Sequence, residues 1–199
     1  AGAAFTFRRT DVSKQADIAA LLAAADEFGG VDVMVCNAGI AIEGDGPELP
    51  EKDYRRLLAV DLDGAYFSAR SAGLRMRELG KAGSVILISS IGGLRGSAMA
   101  VAYSTVNGGL CLLAAALAAS LGPDGIRVNA VCPGIIATEM VAQSPSVSAA
   151  VEPLRRRTPL RRTGVPDDIA DVVAWLGSEF SGYVTGAAIP VDGGLSAVL

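Results

Sequence analysis

The chain has 199 residues, of which 51% are hydrophobic and 19% are charged, and its formal net charge is −4. These proportions indicate a folded domain with a sizeable core and exclude an intrinsically disordered chain. The acidic balance gives no reason to expect a nucleic-acid partner, and the absence of histidine removes imidazole from any catalytic or metal site.

Strand-like and helix-like segments alternate along the sequence. In chain order we predict strands over residues 5–11, 31–36, 84–90, 126–132 and 186–191, with helices over 17–28, 51–79, 98–121 and 166–180. The strands are short apolar runs, which is typical of strands that are covered on both faces. The pattern predicts an α/β fold in which residues 1–199 form one domain around a doubly wound parallel sheet.

The apolar segments of the sequence are too short to predict a membrane-spanning helix. No apolar run reaches the roughly 18 to 20 residues needed to cross a bilayer, and the longest, residues 110–121, predicts a buried helix. We therefore expect no membrane partner.

The three cysteines, Cys36, Cys111 and Cys132, form no CxxC pair and no spacing typical of a metal site. We expect reduced, mostly buried thiols in a cytoplasmic protein.

Residues 142–162 form the least regular stretch of the sequence, rich in Ser, Pro and Arg. Segments that follow strand ends border the ligand crevice of an open α/β sheet, so this stretch could form a mobile substrate lid. A solvated surface loop explains it equally well. The arginine runs at 155–157 and 161–162 could attract an anion, although a hydrated surface is the simpler interpretation.

Two hydroxyl side chains give the strongest functional signal. Ser90 ends the strand predicted over residues 84–90, and Tyr103 lies at the start of an apolar helix. Asn107 stands four positions after the tyrosine. The arrangement resembles the active site of the short-chain dehydrogenase/reductase family, which places a serine, a tyrosine and then a lysine at tyrosine plus four.

The resemblance covers essentially the whole sequence. The family's further motifs occur in the right order at Thr10-Asp11-Val12, Cys36-Asn37-Ala38-Gly39, residues 126–134, Thr138, and residues 183–186 with 191–194. The resemblance implies a Rossmann-like fold, NAD or NADP as cofactor, and a small-molecule alcohol or ketone as substrate. It also implies a homodimer or homotetramer.

Residue roles follow from the same resemblance. The implied catalytic group is Ser90, which would hydrogen-bond the substrate oxygen, Tyr103 as acid and base, Asn107 near the ribose, and Asp61 in place of an asparagine of the proton relay. The implied cofactor-binding residues are Asp11, Val12, Asn37, Ala38, Gly39, Pro133, Gly134, Ile136 and Thr138. No metal site is implied.

The sequence departs from the family pattern in its phosphate-binding region. It contains no glycine-rich GxxxGxG or GxGxxG segment, which in the family follows the first strand and binds the cofactor pyrophosphate. We expect that a strand-helix-strand-helix segment of roughly 50 residues is absent. Either the sequence is a fragment of a longer protein, which we favour, or its strands pair differently from those of the family.

The proton-transfer residues also differ from the family pattern. Asn107 cannot supply the positive charge that lowers the pKa of a tyrosine from its usual value of about 10. Tyr103 would therefore be a poor base but could still donate a proton to a carbonyl, and Arg95 is a conceivable substitute cation.

The alternative function is a non-catalytic relative that binds a small molecule or pairs with another subunit. A hydro-lyase or isomerase that uses Tyr103 or Asp61 is a weaker possibility.

Overall fold

A computed structural model describes residues 5–198 of the chain. The α-helices, numbered in chain order, are α1 (Gln15–Asp26), α2 (Glu51–Leu57), α3 (Gly64–Glu78), α4 (Val101–Leu121), α5 (Glu139–Gln143), α6 (Pro145–Arg157) and α7 (Pro166–Gly177). The strands are β1 (Val33–Cys36), β2 (Gly83–Ile88), β3 (Ile126–Pro133) and β4 (Ala188–Val191).

The four strands form one parallel sheet in the order β1-β2-β3-β4. Leu87 of β2 pairs with Cys36 on one side and with Ala130 on the other, and Ala130 pairs in turn with Ala188. All carboxyl ends therefore meet at one edge of the sheet. The Rossmann-like α/β architecture that the sequence predicts is confirmed.

Both faces of the sheet are covered, as the apolar strands predict. Val85 and Leu87 of β2 belong to a core with residues of α1, α3 and α4, while Ile86 belongs to a second core that includes Leu176 of α7. Successive side chains of a strand point to opposite faces, so β2 is buried on both sides. The layers hold the strand ends in fixed relative positions.

The strand predicted over residues 5–11 is wrong. Residues 5–10 have no regular secondary structure, and Phe5 and Phe7 are 90% and 87% exposed. An apolar run becomes a strand only when a neighbouring strand accepts its backbone hydrogen bonds, and within residues 5–198 nothing in the sheet pairs with this segment. Among the described strands β1 lies at one end of the sheet, and its residues Val33 and Val35, which share one face of the strand, are 41% and 39% exposed.

The irregular segment predicted over residues 142–162 is largely helical. It contains the end of α5 and all of α6, with Pro145 in the first turn and three arginines in the last turn of α6. Proline suits a first helical turn, and basic residues suit the negative end of the helix dipole. Arg155 and Arg156 pair with Glu152 at 2.7 and 2.9 Å, which supports the hydrated-surface interpretation of the arginine run.

Helix α4 and its continuation, Val101–Asp124, have a mean hydropathy of 1.6 and the length and composition of a membrane span. This differs from the expectation that no segment is long enough. A third of its most apolar window is buried inside the chain, where Val106, Leu110 and Ala114 face the cores. A buried core helix of a folded domain passes the same test, so the helix by itself is weak support for a membrane location.

Candidate active site

The residues that follow the strands gather at the carboxyl edge of the sheet. Asn37, Ala38 and Gly39 follow β1 and are exposed, Ser90 lies two residues after β2, and Gly134 follows β3. A Cβ on Gly134 would lie 2.7 Å from the Cα of Asp192, so only glycine permits this approach to the segment after β4. The sheet edge thus forms the crevice that the fold predicts.

Ser90 and Tyr103 meet in this crevice. The Ser90 Oγ accepts a hydrogen bond of 3.1 Å from the Gly92 backbone N–H, which starts the short helical turn Ile91–Gly93. A Cβ on Gly92 would lie 3.4 Å from the Ser90 Oγ and 3.5 Å from the Tyr103 Cδ1. Both side chains therefore border the same small space, as a pair acting on one oxygen atom requires.

The surroundings of Tyr103 favour its neutral form. Burial of the hydroxyl raises the pKa of Tyr103, and the carboxyl of Asp61 raises it further, whereas hydrogen bonding from the Ser90 and Asn107 side chains opposes the increase. Desolvation and a nearby negative charge both disfavour a phenolate. Near neutral pH Tyr103 is a phenol that holds a proton to donate.

Asn107 occupies the position of the family's lysine and is almost fully buried. Its Nδ2 donates a 2.9 Å hydrogen bond to the Tyr103 backbone carbonyl one helical turn earlier. The amide is neutral and so contributes no Coulombic stabilisation of a phenolate. The Arg95 guanidinium donates from its Nη2 to the Ser196 backbone carbonyl at 3.3 Å, and the charge that acts on the pKa of Tyr103 is that of Asp61.

Asp61 lies beneath the crevice in a π-helical turn, Leu58–Asp63, that interrupts the long helix predicted over residues 51–79. Its side chain is buried, and its Oδ1 accepts a 2.9 Å hydrogen bond from the Ile40 backbone N–H. Burial raises the pKa of Asp61 to about 6, and the Ile40 hydrogen bond only partly opposes this. Single π turns in helices often mark functional sites.

Asp11 and Val12 lie in the turn just before α1 and make local contacts. The Asp11 carboxylate accepts hydrogen bonds from Ser13 and pairs with Lys14 at 3.0 Å, which lowers the pKa of Asp11 to about 2. Val12 packs against Gly64, where an added Cβ would lie 2.8 Å from the Val12 Cγ2. These contacts give both residues a structural role, and their implied cofactor role stays a prediction.

The residues after β3 are arranged differently from one another. Pro133 and Gly134 are partly exposed at the sheet edge, and Thr138 is exposed just before α5. Ile136 is buried and forms a parallel bridge with Gly164. The structure thus brings Ser90, Tyr103, Asn107 and Asp61 together, leaves Pro133, Gly134 and Thr138 at the sheet edge, and buries Ile136 beside Gly164.

Asp45 is a residue of the site that the sequence interpretation missed. Its carboxylate is buried and accepts hydrogen bonds from the backbone N–H groups of Ala102 at 2.9 Å and Tyr103 at 2.8 Å. The partners are separated by 57 and 58 positions. Because the contacts of Asp45 join such distant positions, no local sequence signal could have identified them.

The residues of this site fit the nicotinamide end of a dinucleotide. Ala38 and Gly39 are small, exposed residues at the same sheet edge as Ser90 and Tyr103, and small residues suit the close approach of a ring and ribose. Between residues 5 and 198 no glycine-rich turn precedes a helix in the way that a pyrophosphate site requires. The same residues contain no cluster of carboxylates and thiols that could hold a metal ion.

Known proteins resemble the chain over nearly its full length. A family model described as enoyl-(acyl carrier protein) reductase matches residues 1–196. The chain is 43% identical to an L-rhamnose 1-dehydrogenase (NAD(P)(+)) of Azotobacter vinelandii over 87% of this chain and 68% of that protein. It is 37% identical to glucose 1-dehydrogenase 2 of Bacillus subtilis, over 94% of this chain and 72% of that protein.

A solved structure shares the fold as well as the sequence. The crystal structure of a short-chain type dehydrogenase/reductase from Mycobacterium marinum superimposes with a TM-score of 0.87 at 30% identity, covering 94% of this chain and 74% of that one. Sequence, fold and the convergence of Ser90 with Tyr103 agree. The chain belongs to the short-chain dehydrogenase/reductase family of NAD(P)-dependent oxidoreductases.

Proposed function

We propose that Ser90 and Tyr103 of this chain act together on the oxygen of a ketone or secondary alcohol. The single observation that carries this proposal is that both side chains border the space beside Gly92 at the sheet edge. Bound nicotinamide would supply or accept the hydride. Ser90 donates a hydrogen bond to the substrate oxygen, and Tyr103 gives it a proton in reduction or takes one in oxidation.

The chain is better suited to reducing a carbonyl than to oxidising an alcohol. Reduction needs a proton donor, and burial together with Asp61 keeps the Tyr103 phenol protonated. Oxidation needs a phenolate, which neutral Asn107 does not stabilise as an ammonium group would. Burial raises the pKa of Asp61 to about 6, and the negative charge of Asp61 adds to the effect of burial in raising the pKa of Tyr103.

The substrate class is proposed from two of the related proteins. L-rhamnose 1-dehydrogenase and glucose 1-dehydrogenase 2 both act, by their names, on sugars. We propose a small polyhydroxylated or cyclic alcohol and its carbonyl product as the substrate pair. Helices α5 and α6 follow β3 at the crevice and form the proposed substrate lid over residues 142–162, within a single domain.

The proposed assembly is a homodimer or homotetramer in the cytoplasm. Leu112 of α4 is 75% exposed and Tyr66 of α3 is 40% exposed, and the two residues line one shallow apolar surface together with Leu113 and Ala116. Contiguous apolar surface of this kind is typical of subunit contacts. A second copy of α3 and α4 could cover it, and this pairing also accounts for the apolar outer face of α4.

Enzymatic turnover tests the proposal. The purified chain is supplied with NADH or NADPH and a panel of ketones and sugar lactones, or with NAD or NADP and the matching alcohols. We expect consumption or production of the reduced nicotinamide with at least one pair, and loss of it in Tyr103→Phe. Tyr183→Phe removes a hydroxyl from a fully exposed side chain and serves as the control.

The non-catalytic alternative gives a different result in the same experiment. A binding protein would bind nicotinamide or a sugar without turnover, and Tyr103→Phe would leave that binding unchanged. The relatives named as dehydrogenases favour the enzyme. Turnover that persists undiminished in Tyr103→Phe would contradict the assigned role of this residue.

A further inference from the structure

Two acidic residues in the segment that follows β1 hold the first turns of two separate helices. The two carboxylate oxygens of Asp45 accept the backbone N–H groups of Ala102 and Tyr103, at 2.9 and 2.8 Å. The Asp45 backbone carbonyl accepts the Val101 N–H at 3.2 Å. The first three residues of α4 are therefore all bonded to one residue of another segment.

Helix α4 needs these contacts because it has no cap of its own. The first N–H groups of a helix have no partner within it, and the residue before α4, Ala100, carries no oxygen on its side chain. Asp45 is only 5% exposed. Little water reaches its carboxylate, which is therefore held in place by the backbone hydrogen bonds that it accepts from α4. It fixes the backbone of Tyr103, the proposed proton donor.

Glu43 makes the equivalent contacts with α6. Its Oε2 accepts a 2.6 Å hydrogen bond from the Ser144 hydroxyl, and its Oε1 accepts a 3.0 Å bond from the Ser146 backbone N–H in the first turn of α6. Glu43 follows β1 and α6 follows β3, while β2 lies between these strands. The contact therefore crosses the end of β2, where Ser90 lies.

We propose that residues 43–45 position two parts of the active site at once: Asp45 fixes Tyr103 for proton transfer, and Glu43 holds α6 across the substrate entrance. This inference rests on the proposed function and adds two positioning residues to it. The two carboxylates are two residues apart, so one short segment carries both contacts.

The Asp45 contact is tested with Asp45→Ala, and with Asp45→Ser, which retains one acceptor if the alanine variant fails to fold. We expect kcat to fall about tenfold in Asp45→Ala, because the Tyr103 backbone loses its acceptor and the phenol is less precisely placed, with KM nearly unchanged. Asp45→Ser should recover part of the loss. Glu48→Gln, which removes the same charge from an exposed side chain of the same segment, should behave as the wild type.

Two readouts need no turnover and so separate this inference from the proposed function. Amide hydrogen exchange at residues 101–103 should accelerate in Asp45→Ala, because the first turn of α4 loses its acceptors. Ultraviolet titration of tyrosinate, corrected with Tyr103→Phe, should show Tyr103 ionising at lower pH as its ring becomes hydrated. Unchanged exchange and an unchanged titration in Asp45→Ala would overturn the role of Asp45, whether or not the chain is active.

The Glu43 contact is tested separately with Glu43→Ala. We expect KM for the carbonyl substrate to rise about fivefold while kcat stays near the wild-type value, because α6 is held less firmly over the entrance. Exchange in the first turn of α6 should also accelerate, with residues 101–103 little affected. Equal exchange at α6 in Glu43→Ala and wild type would show that the contact does not hold the helix.

Discussion

Asp61→Asn is expected to stabilise the folded chain near neutral pH. The pKa of Asp61 rises from 3.8 to about 6 on folding because its carboxylate is buried, with one backbone hydrogen bond from Ile40. A difference of about two pKa units corresponds to about 3 kcal/mol. Asparagine keeps the oxygen that accepts the Ile40 N–H but carries no charge to desolvate.

The pH dependence of this effect has a definite sign. At pH values well below 3.8 the carboxyl is protonated in both the folded and unfolded states, so Asp61 does not oppose folding. Between 3.8 and about 6 the unfolded chain releases this proton while the folded chain retains it, so the free energy of unfolding falls as pH rises and levels off above about 6, where both states are ionised. Asp61→Asn lacks this decrease. Its free energy of unfolding therefore exceeds that of the wild type by an amount that grows with pH and reaches its full value above about pH 7.

Urea denaturation across this pH range measures the difference. The wild type, Asp61→Asn and Asp63→Asn are compared, since Asp63 is an exposed carboxylate in the same π-helical turn. We expect the Asp61→Asn curve to diverge upwards with pH and the Asp63→Asn curve to follow the wild type. Parallel curves for Asp61→Asn and wild type would refute the claim that Asp61 is a desolvated carboxylate.

Three further predictions concern the neighbours of Tyr103. Asn107→Lys should lower the pKa of Tyr103, measured as tyrosinate absorbance, and raise alcohol oxidation more than ketone reduction, because an ammonium group favours the phenolate; an unchanged titration would contradict this. Gly93→Ala should destabilise the chain by about 1 to 3 kcal/mol in denaturation, since the new Cβ would lie 2.6 Å from the Asn107 backbone oxygen. Cys111 should be alkylated faster than Cys132 near neutral pH, because hydrogen bonding from Cys132 lowers the pKa of the Cys111 thiol; mass spectrometry that finds Cys132 labelled first would be the opposite result.

The sequence predicts the sheet well because its strands are short apolar runs between strong helix signals. Strands β1 and β4 and helices α3, α4 and α7 fall within the predicted segments, β2 and β3 each extend one residue beyond theirs, and the order of these elements along the chain is correct. The strand at residues 5–11 fails for a reason that local sequence cannot reveal. A strand exists only where a partner accepts its hydrogen bonds, and pairing is a property of the whole sheet.

The candidate site is predicted in part. Ser90 and Tyr103 were found because their spacing matches a known pattern, and their closeness follows from a strand end that meets a helix start. The π-helical turn around Asp61 and the contacts of Asp45 have no signature in local sequence. They depend on how distant segments pack, as the 57 positions between Asp45 and Ala102 illustrate.

Steady-state reduction of an accepted ketone by the wild type, Tyr103→Phe and Ser90→Ala tests the central claim most directly. If the two hydroxyls share one substrate oxygen, Tyr103→Phe should lower kcat about a hundredfold or more, the usual contribution of a general acid. Ser90→Ala should also lower kcat, and the double variant should lose little more than the tyrosine variant alone. If the fold decrease in kcat of the double variant equals the product of the decreases of the two single variants, the two side chains do not act on the same oxygen.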